Sequence, residues 1–364
     1  MMVSLRLLLL VLLTPLGLVA LQEPAQAIPE SLRTHAERSD WSELTPHDEV
    51  LRFYRELTRL APEARMSRIG SSREGRPLHL VTLSRPAVSE PWEAQASGRP
   101  ILFIAAQVHG DEQARKEGLM LFARELAFGD LQSLLDELVV LIVPQINPDG
   151  GEAGSWGTRA NRAEYNVNWD YIRLVNPEAR AVVQGVLNPW RPHVILDAHE
   201  LTGFRWYDFY ALHPSNLNVG AEVRSLAAGP ATRAVEEAIK EAGYTYFPYH
   251  LQPSDPTTIP EEGILGAGYA ARTLRTYGGV RGAVTLLFES RRDDDARVDL
   301  EPRTRWQRLA MTGLAEWIAA NGQEILDSVL SRVRPVGYLI EPHLPIHRLR
   351  SLPAVSWERY GSDP

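Results

Sequence analysis

Ile101-Leu102-Phe103-Ile104-Ala105-Ala106-Gln107-Val108-His109-Gly110-Asp111-Glu112 passes from an unbroken apolar run straight into a polar cluster. Such a run, with no alternation of polar residues, reads as a strand buried on both faces. Its neighbours along the chain repeat the pattern. Leu78 to Leu83 follows the turn-like Ser71-Ser72-Arg73-Glu74-Gly75-Arg76-Pro77, and Leu138 to Val143 is stopped by Pro144. Val194-Ile195-Leu196 and Thr285-Leu286-Leu287-Phe288 complete a set of short buried strands. Helix-like stretches lie between and after them, at Glu112 to Phe128, Pro177 to Leu187, Ala221 to Ala242 and Leu300 to Ala320. An earlier helix is expected after Thr45-Pro46-His47-Asp48, which reads as an N-cap, a Pro at the first helical position and an acid at the third. Val50, Leu51, Phe53, Tyr54 and Leu57 then recur at helical spacing. Apolar strands alternating with helices predict an α/β fold: a mixed, mostly parallel, twisted sheet with helices on both faces.

The chain has 364 residues, a net charge of −8 and no cysteine. That length allows two modest domains or one large α/β domain with a sizeable core. The acidic balance opposes a nucleic-acid binder held by phosphate contacts. Without cysteine there is no disulfide, no thiol nucleophile and no thiolate ligand, so any metal must be held by His, Asp or Glu.

The first 27 residues read as a secretory signal peptide. Arg6 precedes the apolar run Leu7 to Ala20, and Ala25-Gln26-Ala27 supplies small residues around a cleavage point. The run is too short to cross a bilayer comfortably, so no stable membrane span is expected after cleavage. The expected division is residues 28–44 as a lead-in, 45–330 as the catalytic domain and 331–364 as an extension without a catalytic pattern. The expected location is periplasmic or secreted.

Ligands of an open α/β sheet collect beyond the carboxyl ends of its strands, and those ends carry the polar residues here. His109 and Glu112 are three apart, so a turn entering a helix can aim both at one point. The fourth strand runs into Asp197-Ala198-His199-Glu200, the third into Asn147-Pro148-Asp149-Gly150, and the last delivers Glu289. Two His and one Glu make a three-ligand zinc set with a fourth position open to water. Each element alone has a plainer reading, as a chance spacing, a core histidine, a turn or an ion-pair partner; their joint order is the signal.

That order resembles the carboxypeptidase A-like zinc peptidases over roughly Thr45 to Asn321. Ile69-Gly70-Ser71-Ser72-Arg73-Glu74-Gly75-Arg76 is similar to that family's first turn, and Asn147 to Gly150 to its NPDG turn. Arg159-Ala160-Asn161 with Asn166-Val167-Asn168-Trp169-Asp170-Tyr171 aligns with the next motif, and Pro177-Glu178 opens the helix after it. The resemblance implies a three-layer sandwich, one zinc ion held by His109, Glu112 and His199, Glu289 as general base and Arg159 as stabiliser of the oxyanion. It implies a peptide or peptide-like substrate, with Asn168 holding its end.

Two positions depart from the family. Trp169 stands where the family has the Arg that clamps a terminal carboxylate, and Asn166 where it has an Asp that steadies a zinc-bound His. Among Arg272, Arg275 and Arg281, which precede Glu289, Arg275 is the expected replacement cation. Tyr277 is the expected substrate-facing tyrosine, with Tyr269 the alternate. A zinc amidase or deacylase on the same fold, and a non-catalytic relative, stay open as alternatives.

Overall fold

The computed structural model describes residues 28–161, 163–202, 207–212, 216, 218–248 and 270–330. The expected signal peptide, the 331–364 extension and Tyr269 lie outside the described residues. Eight described strands form one sheet: β1 (Ala64–Ser71), β2 (Pro77–Leu83), β3 (Ile101–Ala105), β4 (Val139–Val143), β5 (Val194–Leu201), β6 (Phe209–Leu212), β7 (Tyr246–Pro248) and β8 (Val284–Arg291). Their order is β1-β2-β4-β3-β5-β8-β6-β7. The centre, β4-β3-β5-β8, is parallel. Antiparallel pairing brings in β1 and β2 on one side and β6 on the other.

The central strands are apolar throughout because both of their faces are covered. Leu102, Ile104, Val194, Leu196 and Ala198 point into one cluster with helices His47–Leu60, Ala114–Phe128 and Leu300–Ala320. Ile101, Phe103, Ala105 and Ile195 point into the other, with Val182, Val183, Val186 and Leu274. The strand period of two thus sorts alternate residues between two cores, giving three layers. On β5 it puts Asp197 and His199 on the face of Ile195, and Glu200 on the opposite face.

Several local expectations shift. Thr45 is not a helix cap: its backbone N–H and hydroxyl donate to Glu117 at 3.0 and 2.8 Å, and Pro46 takes the N-cap position without a side-chain bond. The helices expected at Pro177 to Leu187 and Ala221 to Ala242 each widen into a π turn, at Val183–Leu187 and at Ala227–Ala231, the second around Pro230. The lead-in packs on the domain, with Leu32 in the core and Glu37 paired with Arg124 at 2.7 Å.

Candidate metal centre

Three chain segments meet at the carboxyl ends of β3, β4 and β5. The turn after β3 carries His109 and Glu112. Gly110 lies against the turn after β4, where a Cβ on it would sit 2.1 Å from the carbonyl carbon of Gly150. Only glycine permits that approach, so the His109 turn and the NPDG turn are one packed unit. Asn147 closes its own turn by accepting from Gly150 N–H at 2.9 Å. Asp149 accepts from the Ser72 hydroxyl at 2.6 Å, from Glu74 N–H at 2.8 Å and from Arg76 at 2.7 Å. Glu178 accepts from Arg73 N–H at 3.0 Å. The first turn motif, the NPDG motif and the Pro177-Glu178 pair therefore brace one another, and their work is to hold the His109 turn still.

Within this frame His109, Glu112 and His199 are all buried, and their ligand atoms lie within 4.8 Å of one another. His109 Nδ1 is 2.8 Å from Glu112 Oε1, and His199 Nδ1 is 3.3 Å from Glu112 Oε2. The outer nitrogens face acceptors: His199 Nε2 is 2.9 Å from Asp197 Oδ1 and His109 Nε2 is 3.1 Å from Asn166 Oδ1. An oxygen of that kind only accepts, so each ring carries its hydrogen on Nε2. Both Nδ1 lone pairs are then turned toward an acceptor-only carboxylate. A positive charge has to sit between them, and this donor set of two imidazoles and one carboxylate fits zinc. The histidines differ in the metal-free protein. Burial lowers His109 to about 4. On His199 burial is outweighed by the Asp197 and Glu112 carboxylates, which raise it to about 9, so there a proton stands in for the metal.

Glu112 is enclosed. Burial opposes its charge, but Arg115 and the two histidines outweigh it and hold the carboxyl well below its ordinary value. Arg115, fully buried one turn along, pairs with Glu112 and also donates to His109 O at 3.3 Å and to Ala198 O. The exposed Arg159 reaches Glu112 Oε1 at 3.0 Å. Glu289 lies directly opposite His199 in the β5–β8 register. Burial pushes its carboxyl up to about 8, and no described residue bonds its Oε2. Glu200 points the other way, bound to Arg303 at 2.9 Å and capping Ala114 N–H at 2.8 Å.

The residues expected to meet substrate are more scattered. Asn168 is buried, with its amide nitrogen 3.5 Å from His199 Nε2. Trp169, beside it, is 52% exposed, and the Arg272 guanidinium lies 4.4 Å above its ring. Arg275 is buried, and its charge acts on Asp197. Tyr277 packs against Tyr171 and accepts from Arg281 at 3.0 Å. Sequence reading passed over Asp197 and Arg115. Spacing puts Asp197 on the face of His199 and Arg115 beside Glu112, but it does not give the partner that each buried charge faces.

Residues 50–188 match the family model described as zinc carboxypeptidase. Over that stretch the chain is similar to the zinc carboxypeptidases. It is 24% identical over 72% of its length to Probable carboxypeptidase 2 of Arthroderma benhamiae, and covers 51% of that protein. The chain thus spans about half the length of the curated relatives it matches most broadly. A shorter stretch of 108 residues, 26% of the chain, is 36% identical to Carboxypeptidase D of Mus musculus and covers 8% of it. The fold matches the crystal structure of the carboxypeptidase A from Helicoverpa armigera, with a TM-score of 0.58 at 16% identity, over 77% of this chain and 75% of that one. The family is zinc-dependent, and among the described residues His109, Glu112 and His199 form a group that could hold one such ion. No described helix is long and apolar enough to cross a membrane.

Proposed function

We propose that this protein is an exported, zinc-dependent hydrolase of the carboxypeptidase type, cutting peptide bonds with Glu289 as general base. The carrying observation is the buried His109–Glu112–His199 group with Glu289 opposite His199. Zinc held by the three ligands would polarise the scissile carbonyl and lower the pKa of the attacking water. Glu289 takes the proton from that water and gives it to the leaving amine. Burial favours its protonated form, and the charge of a bound dication would draw it back toward ionisation, placing it where both steps are accessible near neutral pH. Arg159 is 56% exposed and tethered only at its tip, so it can turn from Glu112 to the charge developing on the carbonyl oxygen. Asn168 holds the substrate end.

Reading a free carboxylate needs a cation near Asn168. Arg275 is buried and its charge acts on Asp197, whereas Arg272 is exposed and stacked on Trp169, which stands where the family has its Arg. Arg272 is therefore the better candidate: the aromatic face orients a guanidinium whose edge still donates. The exposed face of Trp169 also favours a second reading, an amidase acting on a carboxylate-free substrate. Turnover of matched peptides with free and amidated C-termini decides between them. Preference for the free acid by ten-fold or more supports the carboxypeptidase, and equal turnover supports the amidase. The leader-like first 27 residues support export, tested by N-terminal sequencing of protein recovered outside the cytoplasm.

A further inference from the structure

Asp197 sits in the middle of the sheet, between Ala105 of β3 and Leu287 of β8, and is fully buried. Neither apolar neighbour can solvate a carboxylate, and no described residue bonds its Oδ2. A charge in such a place is costly unless it is matched by a partner. Its one described hydrogen bond is to His199 Nε2, at 2.9 Å. Across the pocket, His109 Nε2 meets the neutral amide of Asn166 at 3.1 Å, and the same Asn166 oxygen also accepts from Asn168 N–H at 3.0 Å. One ligand histidine is thus backed by a carboxylate and the other by a shared amide oxygen.

From this we infer that Asp197 is a positioning residue of the metal centre: its carboxylate orients His199 and makes it a stronger ligand, so that the anionic support acts on the second histidine and not on the first. The inference rests on the zinc reading given above. A carboxylate behind a ligand imidazole fixes its tautomer and raises its basicity, and losing one typically weakens metal binding about 10–100-fold.

The test is zinc affinity by competition with a chromophoric chelator, alongside thermal unfolding of the metal-free proteins. Asp197→Asn should bind zinc about 10–100-fold more weakly, and its metal-free form should still fold but melt below wild type, because the buried ion pair with His199 is lost. Asn166→Asp added to that variant should recover most of the affinity. In zinc-loaded wild type labelled at histidine nitrogens, the His199 Nε2–H proton should resonate downfield of the corresponding His109 proton. That last readout stands even if Asp197→Asn fails to fold. An Asp197→Asn affinity within two-fold of wild type would overturn the inference, as would a His109 proton lying further downfield. Wild type that binds no zinc would instead defeat the metal reading itself, and with it this inference.

Discussion

The metal pocket and the substrate rim are built on different principles. His109, Glu112, His199 and Glu289 are buried at the ends of central strands, braced by three turn motifs and by Arg115. Asn168, Trp169 and Arg272 belong to connecting segments, and the last two are exposed. Rigid sheet positions suit chemistry that tolerates little displacement. Surface connections can change residue without unfolding the domain, and that is where recognition diverges. Here the pocket groups two histidines and a carboxylate that could hold a metal ion, while the rim presents an exposed aromatic ring with a cation stacked upon it.

Breaking the pocket should have the largest effect. His199→Ala removes a ligand from a three-ligand site, so zinc content measured after dialysis should fall from about one per chain to near zero. Retained stoichiometry would mean that another side chain completes the site. Glu289→Gln keeps shape and ligands, so zinc should stay while turnover drops about 10²–10⁴-fold; activity within a few-fold of wild type would give the proton to another group. At the rim the effect should be smaller and substrate-dependent. Arg272→Ala should lower kcat/KM by about one to two powers of ten on free-acid peptides, the scale of a lost hydrogen bond to a charged group, and leave amidated ones nearly unchanged. Equal losses on both would make Arg272 a structural support of Trp169.

The smallest effect belongs to neither region and serves as their control. His193 lies at the opposite end of β5, with Nδ1 accepting from Ile101 N–H at 3.0 Å. Burial depresses it from 6.5 to about 4. The unfolded chain therefore takes up a proton that the folded one refuses, and stability that is full above pH 6.5 is lost as pH falls toward 4. His193→Asn, which retains an acceptor, should lessen that fall in melting temperature and leave turnover at pH 7 untouched. A change in turnover would link the far end of the sheet to the site.

How much the sequence discloses follows the same division. The five apolar strands and the helix Leu300–Ala320 were legible because burial on both faces, or a long periodic stretch, leaves a strong pattern. β1 was not: it is an edge strand carrying Arg65 and Arg68, with a register shift between Arg68 and Gly70. β6 and β7 are too short, at four and three residues, to show a period. His109, Glu112, His199 and Glu289 could be singled out because they stand at strand ends, and the roles expected of them came from the resemblance. Asp197 and Arg115 could not be given roles, since their meaning comes from which neighbour each buried charge faces. Arg272 was one of three nearby arginines until its place over Trp169 singled it out.

The central claim is that one zinc in the His109–Glu112–His199 group drives hydrolysis. Metal-stripped protein titrated with zinc, while release of the C-terminal residue from an N-blocked dipeptide is followed, tests it most directly. Activity should be absent at the start, rise in proportion to added zinc and stop rising at one equivalent per chain. Full activity in the stripped protein, or none at any zinc level with the ion bound, would contradict it.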